Sequence, residues 1–287
     1  MNDTFLGNLA QSLKQVPKLE KLDLTFYYRQ QITTQGIMTF SSSLPLDLKF
    51  LNIDLGFCDE VDEKGFQSLF CSIGKIMSLE DLSLKLSPKK GLGNNEMLDL
   101  NLCLSGLKHL NSLFIEFKAF MDIELGFLDG NEEIHNLVFD EFLCVLASKP
   151  ALKKFVFNFP SWEADVKDAK RLERLGDVLS NLKRMETLGL NLYGSWLTGA
   201  KVEYFADKLG SFEKLQTLSL NFSSTGNYQV KLLERFMKSL EKLNDLQEVR
   251  LCFQNCFYKN REEIVKILPS SKSIKYNLSV SYENYRF

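Results

Sequence analysis

The phrase L-x-x-L-x-L-x-L, with other apolar residues standing in for some leucines, comes round again and again in this chain. That recurrence constrains the fold more than any single residue does. Copies begin at Leu19, Leu48, Leu79, Leu110, Leu152, Met185, Leu215 and Leu246, and a weaker ninth begins at Lys275. Counted on the second apolar position (22, 51, 82, 113, 155, 188, 218, 249, 278), the spacings are 29, 31, 31, 42, 33, 30, 31 and 29. A period of this length means one small unit repeated, each copy unable to bury its apolar face alone and completed by its neighbours.

Two patterns sit inside each period. Leu218, Leu220 and Phe222 alternate with Thr217, Ser219 and Asn221, the period of two that gives a strand one buried face. Upstream, Val202, Phe205 and Leu209 follow the 3.6-residue period of an amphipathic helix, and Leu232, Phe236, Leu240 and Leu243 repeat it one period later. Each repeat therefore reads strand, loop, helix, return. Gly36, Gly65 and Gly199 fall where the helices are expected to start.

The recurring phrase and these glycines resemble leucine-rich-repeat proteins of the ribonuclease-inhibitor type, from about residue 3 to 282. The resemblance implies an α/β fold, a leucine-rich-repeat solenoid (horseshoe) with an inner parallel β-sheet and outer helices. It implies one domain over residues 1–287, of eight to nine repeats, with an insertion at about 118–141 in the 42-residue interval. The doubled ending Leu188-Gly-Leu190-Asn-Leu192 and Leu218-Ser-Leu220-Asn-Phe222 is similar to the leucine-rich arrays of ciliates. By that resemblance the chain is expected to be a non-catalytic protein-binding scaffold or adaptor subunit of a larger assembly, cytoskeletal or ciliary. One departure stands out. The inhibitor type commonly has Asn or Cys in the turn after the strand, where the side chain satisfies backbone groups. The turns here read Tyr27-Tyr28-Arg29, Gly56-Phe57-Cys58, Ser87-Pro88-Lys89, Tyr193-Gly194-Ser195 and Ser223-Ser224-Thr225, an eroded ladder.

Composition narrows the partners. Thirty-five Lys and Arg stand against 37 Asp and Glu, a net charge of −2, so the basic excess of a nucleic-acid binder is missing and no nucleic-acid partner is expected. The 6 cysteines are scattered without a C-x-x-C pair, which reads as reduced thiols and a cytoplasmic setting. Met1-Asn-Asp-Thr-Phe5 lacks the charged and apolar regions of a secretory leader, and no run approaches the ~18 apolar residues of a membrane span. Membrane insertion is not expected.

Catalytic signatures are not found. The 2 histidines, His109 and His135, belong to no metal-ligand spacing, and the nucleophile-elbow, zinc-protease and dinucleotide patterns do not occur. The sequence implies no catalytic residue, metal or cofactor. A rival reading is a soluble regulator. Leucine-rich domains of the inhibitor type include activators of small GTPases, and Arg29, in the loop after the first strand, is the residue that would carry such a role. An enzyme inhibitor is the other form of that rival. The insertion carries Asp122, Glu124, Asp129, Glu132, Glu133, Asp140 and Glu141, either an acidic docking loop or a solvated insertion leading into a helix from about Glu132 to Ala147. Pro88-Lys-Lys-Gly-Leu-Gly-Asn-Asn95 lacks phosphate-loop spacing and reads as a basic turn.

A protein partner would meet the non-apolar face of the strands. Candidate partner-binding residues there are Lys21, Asp23, Phe50, Asp54, Lys85, Phe114, Glu116, Asn158, Asn191, Asn221 and Arg250. Phe50, Phe114 and Arg250 head this set because aromatics and Arg dominate interface energetics. Nine strands at about 4.8 Å make an edge of roughly 38 Å. The alternative is binding through the ends or the outer helices. At the N-terminal end a helix with an apolar stripe Phe5-Leu6, Leu9, Leu13 and Val16 is expected, and at the other Tyr282, Tyr285 and Phe287 either cap the last strand or dock a partner.

Overall fold

From Asp3 to Cys252 strand and helix alternate as the repeat predicts. The computed structural model describes residues 2–26, 31–87, 93–117, 132–158, 171–193, 199–223, 230–253 and 275–279. They fall into two compact units, Met1–Leu152 and Lys153–Phe287. The first comprises α1 (Asp3–Lys14), β1 (Lys21–Thr25), α2 (Thr34–Ser41), β2 (Phe50–Leu55), α3 (Glu63–Ile73), β3 (Asp81–Leu86), α4 (Asn94–Gly106), β4 (Ser112–Phe117) and α5 (Glu132–Ala147). The second comprises β5 (Lys154–Asn158), α6 (Arg171–Ser180), β6 (Thr187–Asn191), α7 (Gly199–Leu209), β7 (Thr217–Asn221), α8 (Val230–Leu240), β8 (Glu248–Cys252) and β9 (Lys275–Ser279).

In the first unit the strands pair in parallel in the order β1-β2-β3-β4, and the second apolar positions stand side by side: Leu22 beside Leu51, Leu51 beside Leu82, Leu82 beside Leu113. All four side chains are buried, as are Ile53, Leu84 and Ile115 two residues on. From the helix layer Leu6, Ile37, Phe40, Phe66, Phe70, Leu100 and Phe142 close the same core. Each fully buried side chain of this size contributes roughly 1.5–3 kcal/mol.

The second unit repeats the scheme as β5-β6-β7-β8-β9, again parallel, with Phe155, Leu188, Leu218 and Val249 in register. Its rings cluster, with Phe222 stacked on Phe253 at 5.5 Å and edge-on to Phe236 at 6.3 Å. The last strand departs from the sequence alignment. Leu278 is paired with Leu251, and Tyr276, not Leu278, stands beside Val249. The strand has moved by two residues, which keeps each side chain on its own face because strand alternation has a period of two.

Helix starts follow local chemistry. Asn2 caps α1 by accepting from the Phe5 N–H at 3.1 Å, and Asp62 caps α3 by accepting from Lys64 and Gly65 at 2.9 and 3.2 Å. Gly36 and Gly65 are third in their helices and Gly199 is first in α7, as their spacing predicts. The insertion helix spans Glu132–Ala147, the predicted range. The stripe of α1 is narrower than predicted: Leu6, Ala10 and Leu13 are buried, whereas Phe5 and Val16 are exposed.

Successive repeats in the first unit are also tied by polar struts. Asp3 on α1 accepts from the N–H and hydroxyl of Thr33, the cap of α2. Thr34 on α2 accepts from the N–H of Asp62, the cap of α3, at 2.8 Å. Ser78 donates to the Leu46 and Leu48 carbonyls at 2.9 and 2.8 Å, and the buried Lys149 ammonium donates to the Leu107 carbonyl at 2.9 Å.

Candidate interaction surfaces

Strand alternation sends one set of side chains into the core and leaves the other on the open face of each sheet. On the first unit the open rows are Lys21-Phe50-Asp81-Ser112, Asp23-Asn52-Ser83-Phe114 and Thr25-Asp54-Lys85-Glu116. Several candidates here are already engaged. The Lys21 ammonium lies 4.7 Å from the centre of the Phe50 ring, and Lys85 lies 5.6 Å from that of Phe114. Asn52 donates to Asp23 at 2.6 Å. Asp54 is buried: one carboxylate oxygen accepts from the Gly56 N–H at 2.8 Å and the other is 3.8 Å from Lys85. Glu116 is half-buried at the end of the third row.

The open face of the second unit is milder. Asn158 and Asn191 stand side by side, the Asn191 amide donating to the Asn158 oxygen at 2.6 Å. Gly189 has no side chain, and Val156 beside it fills that space. Arg250 is exposed yet paired with Glu248 on its own strand at 3.0 Å, and Lys275 approaches the same carboxylate at 3.8 Å. Arg29, Tyr282, Tyr285 and Phe287 lie outside the described residues, as does most of the insertion.

The turn ladder eroded in the sequence is replaced in part from inside the strands. Asp54, Asn191 and Asn221, each on the open face near its strand's end, accept from the N–H two residues on, at Gly56, Tyr193 and Ser223 (2.8, 3.2 and 3.0 Å). This is the Asx-turn, a short polar side chain standing in for a backbone partner. The Cys58 thiol, buried in the turn after β2, donates to the Phe26 carbonyl of the preceding repeat at 3.1 Å.

Two titratable groups of the interior are shifted by burial. Burial pushes the Lys149 ammonium below the usual lysine range, while one of its N–H groups donates to the Leu107 carbonyl. Burial pushes the Cys103 thiol well above the usual range, the opposite of an activated nucleophile. Cys71 and Cys144 are exposed free thiols, and His109 is exposed in the approach to β4. Among the described residues no cluster of three His, Cys, Asp or Glu side chains is disposed to hold a metal ion, and no helix is long and apolar enough to cross a membrane.

The sequence reading named the outer helices only as an alternative surface, and their faces differ between the units. On α6, α7 and α8 the polar side chains are linked: Asp177 accepts from Lys208 at 2.6 Å and from Tyr204 at 2.8 Å, and Arg235 reaches both Glu203 and Asp207 at 2.7 Å. On the first unit Met38, Leu98, Leu102 and Leu137 are exposed on α2, α4 and α5. A groove of about 650 Å³ there is lined by Met38, Lys64, Cys71, Lys75, Asp99 and Leu102, among others. The signal for it was in α4, where Leu98 and Leu102 are apolar on the side opposite Met97, Leu100 and Leu104.

No family model matches the chain, and no curated protein matches it. Among solved structures it is similar to the leucine-rich-repeat-containing protein LegL7 from Legionella pneumophila, at 15% identity and a TM-score of 0.45, over 96% of this chain and 88% of that one. A second similarity is to the complex of Rad7 and Elc1 in yeast, at 11% identity and a TM-score of 0.37, over 98% of this chain and 88% of that one. The recurring apolar phrase, placed on parallel strands that pair phrase to phrase and alternate with helices, gives the protein an α/β fold of the leucine-rich-repeat type.

Proposed function

We propose that the chain acts as one non-catalytic leucine-rich-repeat domain, a scaffold or adaptor subunit that binds other proteins within a larger cytoplasmic assembly. The observation that carries this reading is the rigid presentation of side chains. In each unit a core of aligned Leu, Ile and Phe fixes the strands, and strands β1–β4 and β5–β8 add short, mostly polar or aromatic rows to the open face in matching register. A surface built that way suits extended contact with a protein better than enclosure of a small molecule. The Asn-bearing strand endings support a cytoskeletal or ciliary home by their likeness to ciliate arrays.

The test is affinity capture of the full-length tagged chain from its native cells, with quantitative mass spectrometry. Several proteins retained in near-equal amounts are the expected result. A single GTPase or enzyme retained alone, with its turnover altered by the chain and by Arg29→Ala, would replace the scaffold with the regulator.

A further inference from the structure

The two helical faces carry different chemistry, and the difference points to a docking site. On α6–α8 Asp177 is paired with Lys208, and Arg235 with Glu203 and Asp207. On the first unit apolar groups stand in water instead: Leu102 and Leu137 are each 67% exposed and Met38 is 38% exposed. Helix α4 is apolar on both sides, with Met97, Leu100 and Leu104 buried and Leu98 and Leu102 outward. An exposed apolar patch rimmed by polar groups marks an interaction site.

The groove between α2, α3 and α4 has a definite shape and charge. Met38 on α2, Cys71 on α3 and Leu102 on α4 give it apolar walls, with Phe70 and Cys103 beneath. Lys64 lies in the first turn of α3 and Lys75 just past its last residue, so the groove has an ammonium at each end. Eleven residues at a rise of 1.5 Å separate them by about 16 Å. The single carboxylate of the lining is Asp99, on the α4 wall. The groove runs along helices and offers no strand edge, so an extended peptide would gain no backbone pairing there. An apolar trough with charged ends fits a helix laid in it.

We propose that this groove receives an amphipathic α-helix of a partner protein. Its apolar face packs on Met38 and Leu102, and carboxylates about three turns apart meet Lys64 and Lys75. The proposal rests on the protein-binding reading above and places the contact on the helix layer. The open sheet face of the first unit favours the same choice, since Phe50 and Phe114 already lie against Lys21 and Lys85.

The test pans a display library of helix-forming 18-residue peptides on the full-length chain, with Leu102→Glu as counter-target. Leu102 is outward-facing, so the variant should fold, and circular dichroism checks this. The expected peptides carry apolar anchors at i, i+3 or i+4 and i+7 with an excess of Asp and Glu. By fluorescence polarisation their binding should fall at least tenfold with Leu102→Glu and with Met38→Glu. Lys75→Glu should also weaken it, and a peptide with Lys replacing the facing carboxylate should restore it. The proposal is overturned if no peptide distinguishes the chain from Leu102→Glu, or if the selected peptides are basic. Self-association abolished by Leu102→Glu, or binding to anionic vesicles abolished by it, would overturn it in favour of a second copy or a bilayer. If captured cellular partners survive Leu102→Glu but are lost with Asp23→Arg, the scaffold reading stands and the helix groove falls.

Discussion

The Asp3 carboxylate, in the first turn of α1, accepts the Thr33 N–H at 2.9 Å and the Thr33 hydroxyl at 2.6 Å. Thr33 in turn caps α2, accepting from the Gln35 N–H at 3.2 Å. Gly36 makes this possible, because a Cβ there would collide with the Asp3 carboxylate. One acid thus joins two repeats and helps to fix the start of a helix.

Gly36→Ala should therefore destabilise the protein by about 1–3 kcal/mol, the usual cost of overpacking. Asp3→Ala alone should cost about 1 kcal/mol as a lost cap partner. In the Asp3→Ala background most of the Gly36→Ala penalty should vanish, since the atoms it strikes are gone. Urea titrations of the four proteins measure the coupling, and strict additivity would show that the clash is not the cause.

Helices α3 and α4 approach at two glycines. A Cβ on Gly106 would stand 2.5 Å from the Gly74 carbonyl oxygen, which is backbone and has nowhere to go. Gly106→Ala should cost about 1–3 kcal/mol. Gly7, inside α1 with nothing near its missing side chain, is the contrast. Gly7→Ala should stabilise by up to about 1 kcal/mol through helix propensity. Thermal melts that ranked the two alike would refute the contact.

The Asp62 carboxyl is held below its usual range, first by the Thr34 hydroxyl and then, against a push from burial, by the Gly65 and Lys64 N–H groups. Its folded value lies below its unfolded one, so its contribution is complete above the unfolded value and fades as pH falls through the folded value. Asp62→Asn keeps a capping oxygen but not the charge, so it should lower stability modestly near pH 7 while flattening its decline in acid. Asp62→Ala should cost about 1 kcal/mol near pH 7. Melting curves between roughly pH 3 and pH 7 separate the two variants.

Two asparagines at equivalent strand positions should answer differently to the same change. Asn191 donates to Asn158 and accepts from Tyr193, whereas Asn221 accepts from Ser223. Asp keeps the accepting oxygen and removes the donor. Asn191→Asp should lose about 1 kcal/mol, the worth of a part-buried hydrogen bond removed, and Asn221→Asp should be close to neutral. Equal losses would mean that the Asn158–Asn191 bond is not formed in solution.

Much of the fold was legible because the information is local. A period of two inside a period near thirty says which side chain of a strand faces the core, and Leu51, Leu82, Leu188 and Leu218 need no partner's identity to declare themselves buried. The helix starts marked by Gly36, Gly65 and Gly199 and the whole of α5 are local in the same sense. The ninth strand marks the limit. Its alternation was right and its pairing was off by two, because parity cannot tell register from a shift of two residues.

The candidate surface was less legible, for a related reason. That Lys21, Phe50 and Asp54 share a sheet face follows from sequence alone; that Lys21 covers Phe50 while Asp54 is buried against Gly56 does not. The first fact belongs to a pair about thirty residues apart, and the burial of Asp54 depends likewise on Lys85 of the next strand, so each side chain chooses among solvent and several neighbours once the register is set. The helix layer repeats the lesson: Leu102 is apolar in any reading, and only the packing of α4 between α3 and α5 leaves it facing water. The sequence by itself determined the repeat, the strand faces and the aligned core, because burial of a periodic apolar stripe is dictated residue by residue. The tertiary structure decided which polar groups are already partnered and which apolar ones remain exposed, because those outcomes depend on neighbours that only packing brings together.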